Sequence, residues 1–194
     1  MEMPLLLARL SAALEAGVSM VQIWENWAEV KNQTDLISAV CSLCGRYSVP
    51  VFINNLWEMT KNFPADGVHF DQIPRDFGAI RAILPNKYFG LTCGNSLETV
   101  KWAHQNRLDY ISFCSVFPSN TSNSCELVTF ETIRAARNLT DLPIFLAGGI
   151  MPDRMKQLDD LPYQGVAVIS GVMSSESPSI AVRQYLKHLS DKKN

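Results

Sequence analysis

Two apolar runs end in residues with little or no side chain: Leu142-Pro143-Ile144-Phe145-Leu146-Ala147-Gly148-Gly149-Ile150, and Gly165-Val166-Ala167-Val168-Ile169-Ser170-Gly171. Glycine at the end of a strand leaves the following backbone N–H groups open to a ligand, and N–H groups converging from neighbouring chain ends suit a phosphate. Gly148, Gly149, Ile150, Ile169, Ser170 and Gly171 are the candidate phosphate seat, with the Ser170 hydroxyl as a further donor. A second polar ending closes the run Val51-Phe52-Ile53-Asn54-Asn55, where two amides follow a buried strand. Asp71 and Asp76 follow the short run Asp66-Gly67-Val68-His69-Phe70, and Glu25 follows Val18 to Trp24. Plainer roles exist for each: glycine pairs for close packing, His69 as a core histidine tied to a backbone carbonyl, Asp71 and Asp76 as a turn and a helix cap. Trp24 and Trp57 suit stacking on a flat heterocycle or filling space left by smaller groups.

The elements that position these residues alternate along the chain. Met1 to Ala16 has an apolar face of Met3, Leu6, Leu7, Leu10, Ala13 and Leu14, with Gly17 as its stop. A strand follows from Val18 to Trp24, then a helix from Leu36 to Tyr47 capped by Thr34 or Asp35, then the Val51 strand. Further strands are expected at Asp66 to Phe70, Tyr88 to Cys93, Asp109 to Phe117, Leu142 to Ile150 and Gly165 to Gly171. Helices are expected between them, with Ser96 and Thr129 as caps and one helix near Asp153 to Leu161. The run from Pro118 to Ser124 is small and polar, the composition of a lid loop. Such alternation predicts parallel βαβ units, and a phosphate seat after the last two strands predicts an α/β fold of the (β/α)8 TIM-barrel type. It spans residues 1–194 as one domain. The first strand is missing or atypical, because the chain opens on a helix and seven strands are counted.

A formal charge of -2 provides no basic field, so nucleic acid and anionic membrane surfaces are not expected partners and a bound anion must be held by local geometry. No apolar run reaches the ~20 residues of a membrane span. The five cysteines are odd in number and follow no basic leader, which fits a reduced cytoplasm. Cys41 and Cys44 fall three apart inside a helix, the spacing of two small buried hydrophobes.

Val21-Gln22-Ile23, Ile53-Asn54, Asp66-Gly67-Val68-His69-Phe70, the Gly90 strand, Val116-Phe117-Pro118, Ala147-Gly148-Gly149-Ile150 and Val168-Ile169-Ser170 occur in the order and spacing of one family. The chain resembles the thiamine-phosphate synthase family, including its thiazole tautomerase branch. The resemblance implies a cytoplasmic (β/α)8 barrel, usually dimeric, in which a thiazole monophosphate attacks an aminopyrimidine methyl diphosphate and releases pyrophosphate with the help of magnesium. It implies that Gln22, Asn54, Ser119 and Thr121 hold the pyrimidine and that the glycine seat holds the thiazole phosphate. Where the family carries an arginine and a lysine, this chain has Trp24 and Asn26, with Glu25 kept between them. Asn55 replaces a metal-binding aspartate, Pro74 stands for a second one with Asp71 and Asp76 nearby for a shifted metal site, and Ser122 replaces a loop lysine. The tautomerase histidine corresponds to Gly94 or Asn95.

The catalytic candidates implied are therefore Glu25 and Asn55, in a site that has lost both cations and metal ligands. Three readings follow: a synthase with a rearranged magnesium site, a non-catalytic binder of thiamine or thiazole monophosphate, and a metal-free or tautomerase-like reaction on a related phosphate with Glu25 as base.

Overall fold

Strands buried on both faces are written as nearly continuous apolar runs, and here they form a parallel sheet. In the computed structural model, which describes residues 1–24, 32–118 and 126–192, the strands are β1 (Val21–Ile23), β2 (Val51–Asn54), β3 (Gly67–Phe70), β4 (Tyr88–Thr92), β5 (Tyr110–Phe113), β6 (Ile144–Ala147) and β7 (Gly165–Ala167). All seven pair in sequence order, each parallel to the next. The helices are α1 (Met3–Glu15), α2 (Gln33–Gly45), α3 (Phe77–Ile83), α4 (Leu97–Gln105), α5 (Phe130–Arg137), α6 (Ser170–Met173) and α7 (Pro178–Asp191).

The sheet curls. The rings of Phe52 on β2 and Tyr110 on β5 meet edge to face at 5.6 Å although β3 and β4 lie between them in the sheet. Tyr110 then meets Phe145 of β6 at 5.3 Å. The intervening strands make room by carrying no side chain: a Cβ on Gly67 would run into Phe52, and one on Gly90 would fall inside the Tyr110 ring. On the opposite face Ile53, Val68, Leu91, Ile111 and Ile144 are fully buried. The result is a TIM-type half-barrel whose parallel strands bring all their C-terminal ends to one mouth.

No strand precedes β1 among the described residues; α1 opens the chain, as the sequence implied. Leu10, Ala13 and Leu14 are its buried face, and Gly17 ends it at φ 102°. This helix packs against α2 on one side and α6 and α7 on the other, and Arg9 Nη1 donates to the Ser175 carbonyl at 2.6 Å. It thus lies across the interval between the two sheet edges, β1 and β7, which have only three residues each. Short edges leave few unpaired backbone groups to recruit another chain.

Several boundaries differ from expectation. α2 starts at Gln33 after Asn32, so Thr34 and Asp35 sit inside its first turn and neither is its cap. The segment after β6 is a 3-10 helix, Pro152–Leu158, and the one after β2 is another, Trp57–Lys61. β5 ends at Phe113 because Ser115, at φ 66°, turns the chain, and β7 ends at Ala167 because Ser170 already starts α6. Ser96 and Thr129 cap α4 and α5, accepting from the N–H groups of Thr99 and Thr132. Among the described residues no helix is long and apolar enough to cross a membrane.

Candidate active site at the barrel mouth

The ends of β1, β2 and β3 carry a hydrogen-bonded set of three amides and one carboxylate. Register places His69 beside Asn54, so the residues after them turn out of the barrel together. Gln22 Nε2 donates to Asn54 Oδ1 at 2.8 Å. Asn54 Nδ2 and Asn55 Nδ2 donate to the same Asp71 oxygen, Oδ2, at 2.9 and 2.8 Å, and Asn55 Oδ1 accepts the Asp71 backbone N–H at 3.0 Å. Asn54 is buried, Gln22 half-buried, and Asn55 and Asp71 exposed. Asn55 holds a left-handed backbone conformation, φ 59°, which asparagine tolerates better than most residues and which swings its amide back toward Asp71. Gln22 and Asn54, expected from sequence to hold the pyrimidine, and Asp71, expected only for a shifted metal site, are thus hydrogen-bonded together.

Deeper in the same half-barrel lies a layer the sequence analysis missed. His69 Nδ1 is hydrogen-bonded to the Tyr110 hydroxyl at 3.0 Å and Nε2 to Thr92 Oγ1 at 2.9 Å, and Thr92 and Ser112 hydroxyls meet at 3.1 Å. Its partners are hydroxyls, not the backbone carbonyl expected. Burial pushes the His69 imidazole down to about 4, with the Asp71 carboxylate only partly opposing, so the ring is neutral. Burial also raises the Tyr110 phenol above its ordinary value. The sequence signal was available: Thr92 lies two residues beyond Gly90 and Ser112 two beyond Tyr110, the same inward parity on adjoining strands.

Across the mouth, Gly148 and Gly149 adopt φ 90° and 64°, a region that side chains disfavour. Their packing is equally demanding, since a Cβ on Gly149 would stand 2.6 Å from the Pro118 carbonyl oxygen and one on Gly148 would strike the Ser115 backbone. No backbone acceptor among the described residues takes the N–H of Gly149, Ile150, Ser170 or Gly171. Ser170 and Gly171 open α6, where the first N–H groups have no partner within the helix. Ile169 and Ser170 are exposed, Gly148 and Gly149 half-buried and Ile150 buried. The bare α-carbon of Gly171 lets the Tyr185 hydroxyl pass and donate to the Ile150 carbonyl at 2.9 Å, tying the two halves of the seat together. Arg154 was also missed: its Nη1 lies 3.4 Å from the Gly149 carbonyl and its guanidinium 5.6 Å from the Phe117 ring, which brings a cation to the rim.

Other candidates stand apart from this mouth or lie elsewhere. Glu25, Asn26, Ser119, Thr121, Ser122 and most of the expected lid loop are outside the described residues. Trp24 is 48% exposed one residue beyond β1, while Trp57 lies under Lys61 Nζ at 4.7 Å. Asp76 precedes α3 without a side-chain hydrogen bond to its first turn. Asn95 is spent on structure, donating to the Leu127 carbonyl and accepting from the Thr129 N–H. Cys41 and Cys44 are buried free thiols, pushed up by burial, Cys44 to about 11. Among the described residues no group of three or more His, Cys, Asp or Glu side chains is placed to hold a metal ion. Magnesium, however, is usually held by one or two carboxylates together with substrate phosphates and water, and Asp71, with Oδ2 fixed by two amides, is a carboxylate at this mouth that could serve as one.

Residues 3–172 match the family described as thiamine monophosphate synthase. A thiamine-phosphate synthase of Methanobrevibacter smithii is 30% identical over 181 residues, covering 93% of this chain and 86% of that protein. One from Nitrosococcus oceani is 30% identical over 177 residues, covering 91% and 82%. Among solved structures, the thiamine phosphate pyrophosphorylase of Pyrococcus furiosus superposes with a TM-score of 0.85 over 97% of this chain and 91% of its own; at 23% identity that likeness bears on the fold.

Proposed function

We propose that this chain, which belongs to the thiamine monophosphate synthase family, joins a thiazole monophosphate to an aminopyrimidine methyl diphosphate and releases pyrophosphate. A new bond forms from the thiazole nitrogen to the pyrimidine methylene carbon as the carbon–oxygen bond to the diphosphate breaks. The observation that carries this reading is the division of one mouth into two unlike halves: an amide and carboxylate network at β1 to β3, and a glycine seat with open N–H groups at β6 and β7. Gln22 and Asn54 hold the flat heterocycle by its polar edge. The backbone N–H groups of Gly149, Ile150, Ser170 and Gly171 hold the monophosphate, with Arg154 lending positive charge at the rim. Holding both reactants in one geometry removes most of the entropic cost of the encounter. Magnesium, when bound, neutralises charge that builds on the leaving diphosphate oxygens, and Asp71 is the residue that would hold it. The layer of buried Tyr110, His69 and Ser112 with half-buried Thr92 floors the mouth and keeps it rigid. The test is incubation with the pyrimidine diphosphate, the thiazole phosphate and magnesium. Pyrophosphate release is expected, and its absence across magnesium, manganese and cobalt would sink the proposal.

A second reading, a binder of thiamine or thiazole monophosphate without turnover, is favoured by one observation. Asn55, at a position where the family resemblance calls for a metal-binding aspartate, is neutral and has both ends of its amide bonded to Asp71. On either reading thiamine monophosphate raises the melting temperature, and Gly149→Asp, which puts a carboxylate into the seat, abolishes the rise. A shift that survives in the variant would remove the phosphate seat from both. The dimer implied by the resemblance belongs to this proposal and is read by sedimentation.

A further inference from the structure

A trans peptide points its carbonyl and its N–H in opposite directions, so a donor that fixes the carbonyl also aims the N–H. Consecutive carbonyls along the first half of the phosphate seat are each fixed in this way. The Val116 and Phe117 N–H groups donate to the Ala147 and Gly148 carbonyls, both at 3.0 Å. Arg154 Nη1 faces the Gly149 carbonyl at 3.4 Å, and the Tyr185 hydroxyl donates to that of Ile150 at 2.9 Å. The N–H groups of Gly149 and Ile150 are thereby turned away from these donors, and no backbone acceptor among the described residues takes them. The Tyr185 hydroxyl differs from the other donors. It comes from α7, it is buried, and it passes where a Cβ on Gly171 would stand 2.1 Å from its oxygen and 3.3 Å from the Ile150 carbonyl oxygen. The Ile150 carbonyl thus lies against the second half of the seat.

Resting on the reading above, in which these N–H groups hold a monophosphate, we infer that Tyr185 is a positioning residue that keeps them free for it. A buried carbonyl without a donor is costly. Deprived of the hydroxyl, the Ile150 carbonyl has the N–H groups of Ser170 and Gly171 beside it, and neither is paired with a backbone acceptor. Taking one of them draws the two halves together and removes a donor from the phosphate. The hydroxyl prevents this by satisfying the carbonyl and by occupying the interval between the halves, so the spacing is set before a ligand arrives. Packing alone does not call for it. The other buried residues of α7 are Pro178, Ala181 and Val182, and a phenylalanine ring would fill the same space as Tyr185.

The test compares thiamine monophosphate with thiamine, which differ only in the phosphate, by calorimetric titration on the full chain. The ratio of their dissociation constants reads the seat alone. In Tyr185→Phe that ratio is expected to fall by about tenfold, the share of one hydrogen bond to a charged group, with the loss carried by the monophosphate. Gly171→Ala, which displaces the hydroxyl, should lower the ratio likewise. Added to Tyr185→Phe it should change the ratio by no more than about twofold, because both act through one hydroxyl. In the ligand-free Tyr185→Phe chain, the Ser170 or Gly171 amide should exchange with solvent more slowly than in the wild type. An unchanged ratio, equal weakening of both ligands, fully additive losses, or wild-type exchange at both amides overturns the inference. If the wild type still prefers the monophosphate, the phosphate seat and the proposed activity stand without it. A wild type with no such preference overturns the inference together with the seat.

Discussion

His69 is a buried residue whose chemistry departs far from its behaviour in water. Its neutral form is held between the Tyr110 and Thr92 hydroxyls, and burial has lowered its pKa from 6.5 to about 4. The folded value lies below the unfolded one, so the unfolded chain takes up the proton first. Stability is complete above the unfolded pKa, begins to fall as the pH drops past 6.5, and goes on falling to about 4. By pH 5 the loss from this one group is on the order of 2 kcal/mol. Urea titrations at pH 7 and pH 5 should therefore converge in His69→Gln relative to the wild type. An equal drop in both proteins would assign the acid sensitivity to other groups. Little of this was legible in the sequence, where His69 read as a core histidine with a backbone partner. A strand of four residues gives its own burial away, but its hydroxyl partners come from two other strands.

At the level of elements, the curl of the sheet depends on alternating bulk and absence. Phe52, Tyr110 and Phe145 project into the barrel over Gly67, Gly90 and Gly165, and Tyr110 cannot retreat because its hydroxyl is tied to His69. Gly90→Ala should cost about 1–3 kcal/mol, the range for overpacking a filled core, read as a lower urea midpoint. An unshifted midpoint would contradict this packing. The strands themselves were legible, since runs such as Val51 to Asn54 are apolar at every position until the polar end. Their ends were not. β5 and β7 stop short of the expected Phe117 and Gly171 because Ser115 turns the chain and Ser170 begins a helix. The helix expected near Asp153 to Leu161 is a 3-10 helix over Pro152–Leu158.

For the whole molecule, order along the chain became order around the mouth, so the sequence-based TIM-type fold holds, with seven strands among the described residues. The glycine seat was visible because it is local: Gly148 and Gly149 are adjacent and their φ values explain them. The amide relay was visible only in pieces, since nothing in the sequence joins positions 22, 54 and 71 until β1, β2 and β3 lie side by side. Tyr185 is the extreme case. It lies in α7, 35 residues after the Ile150 carbonyl it holds, and reaches it through the space left by Gly171. The seat is thus closed by a side chain of the helix that follows both of its halves. Chains emerge from the ribosome at roughly 5–20 residues per second, N-terminal parts first. A nascent chain can therefore build β1 to β6, and with them the amide relay, while its phosphate seat is still unlatched. Ligand capture waits until Tyr185 has been synthesised and α7 has docked, and products truncated before Tyr185 would compete poorly for the phosphate.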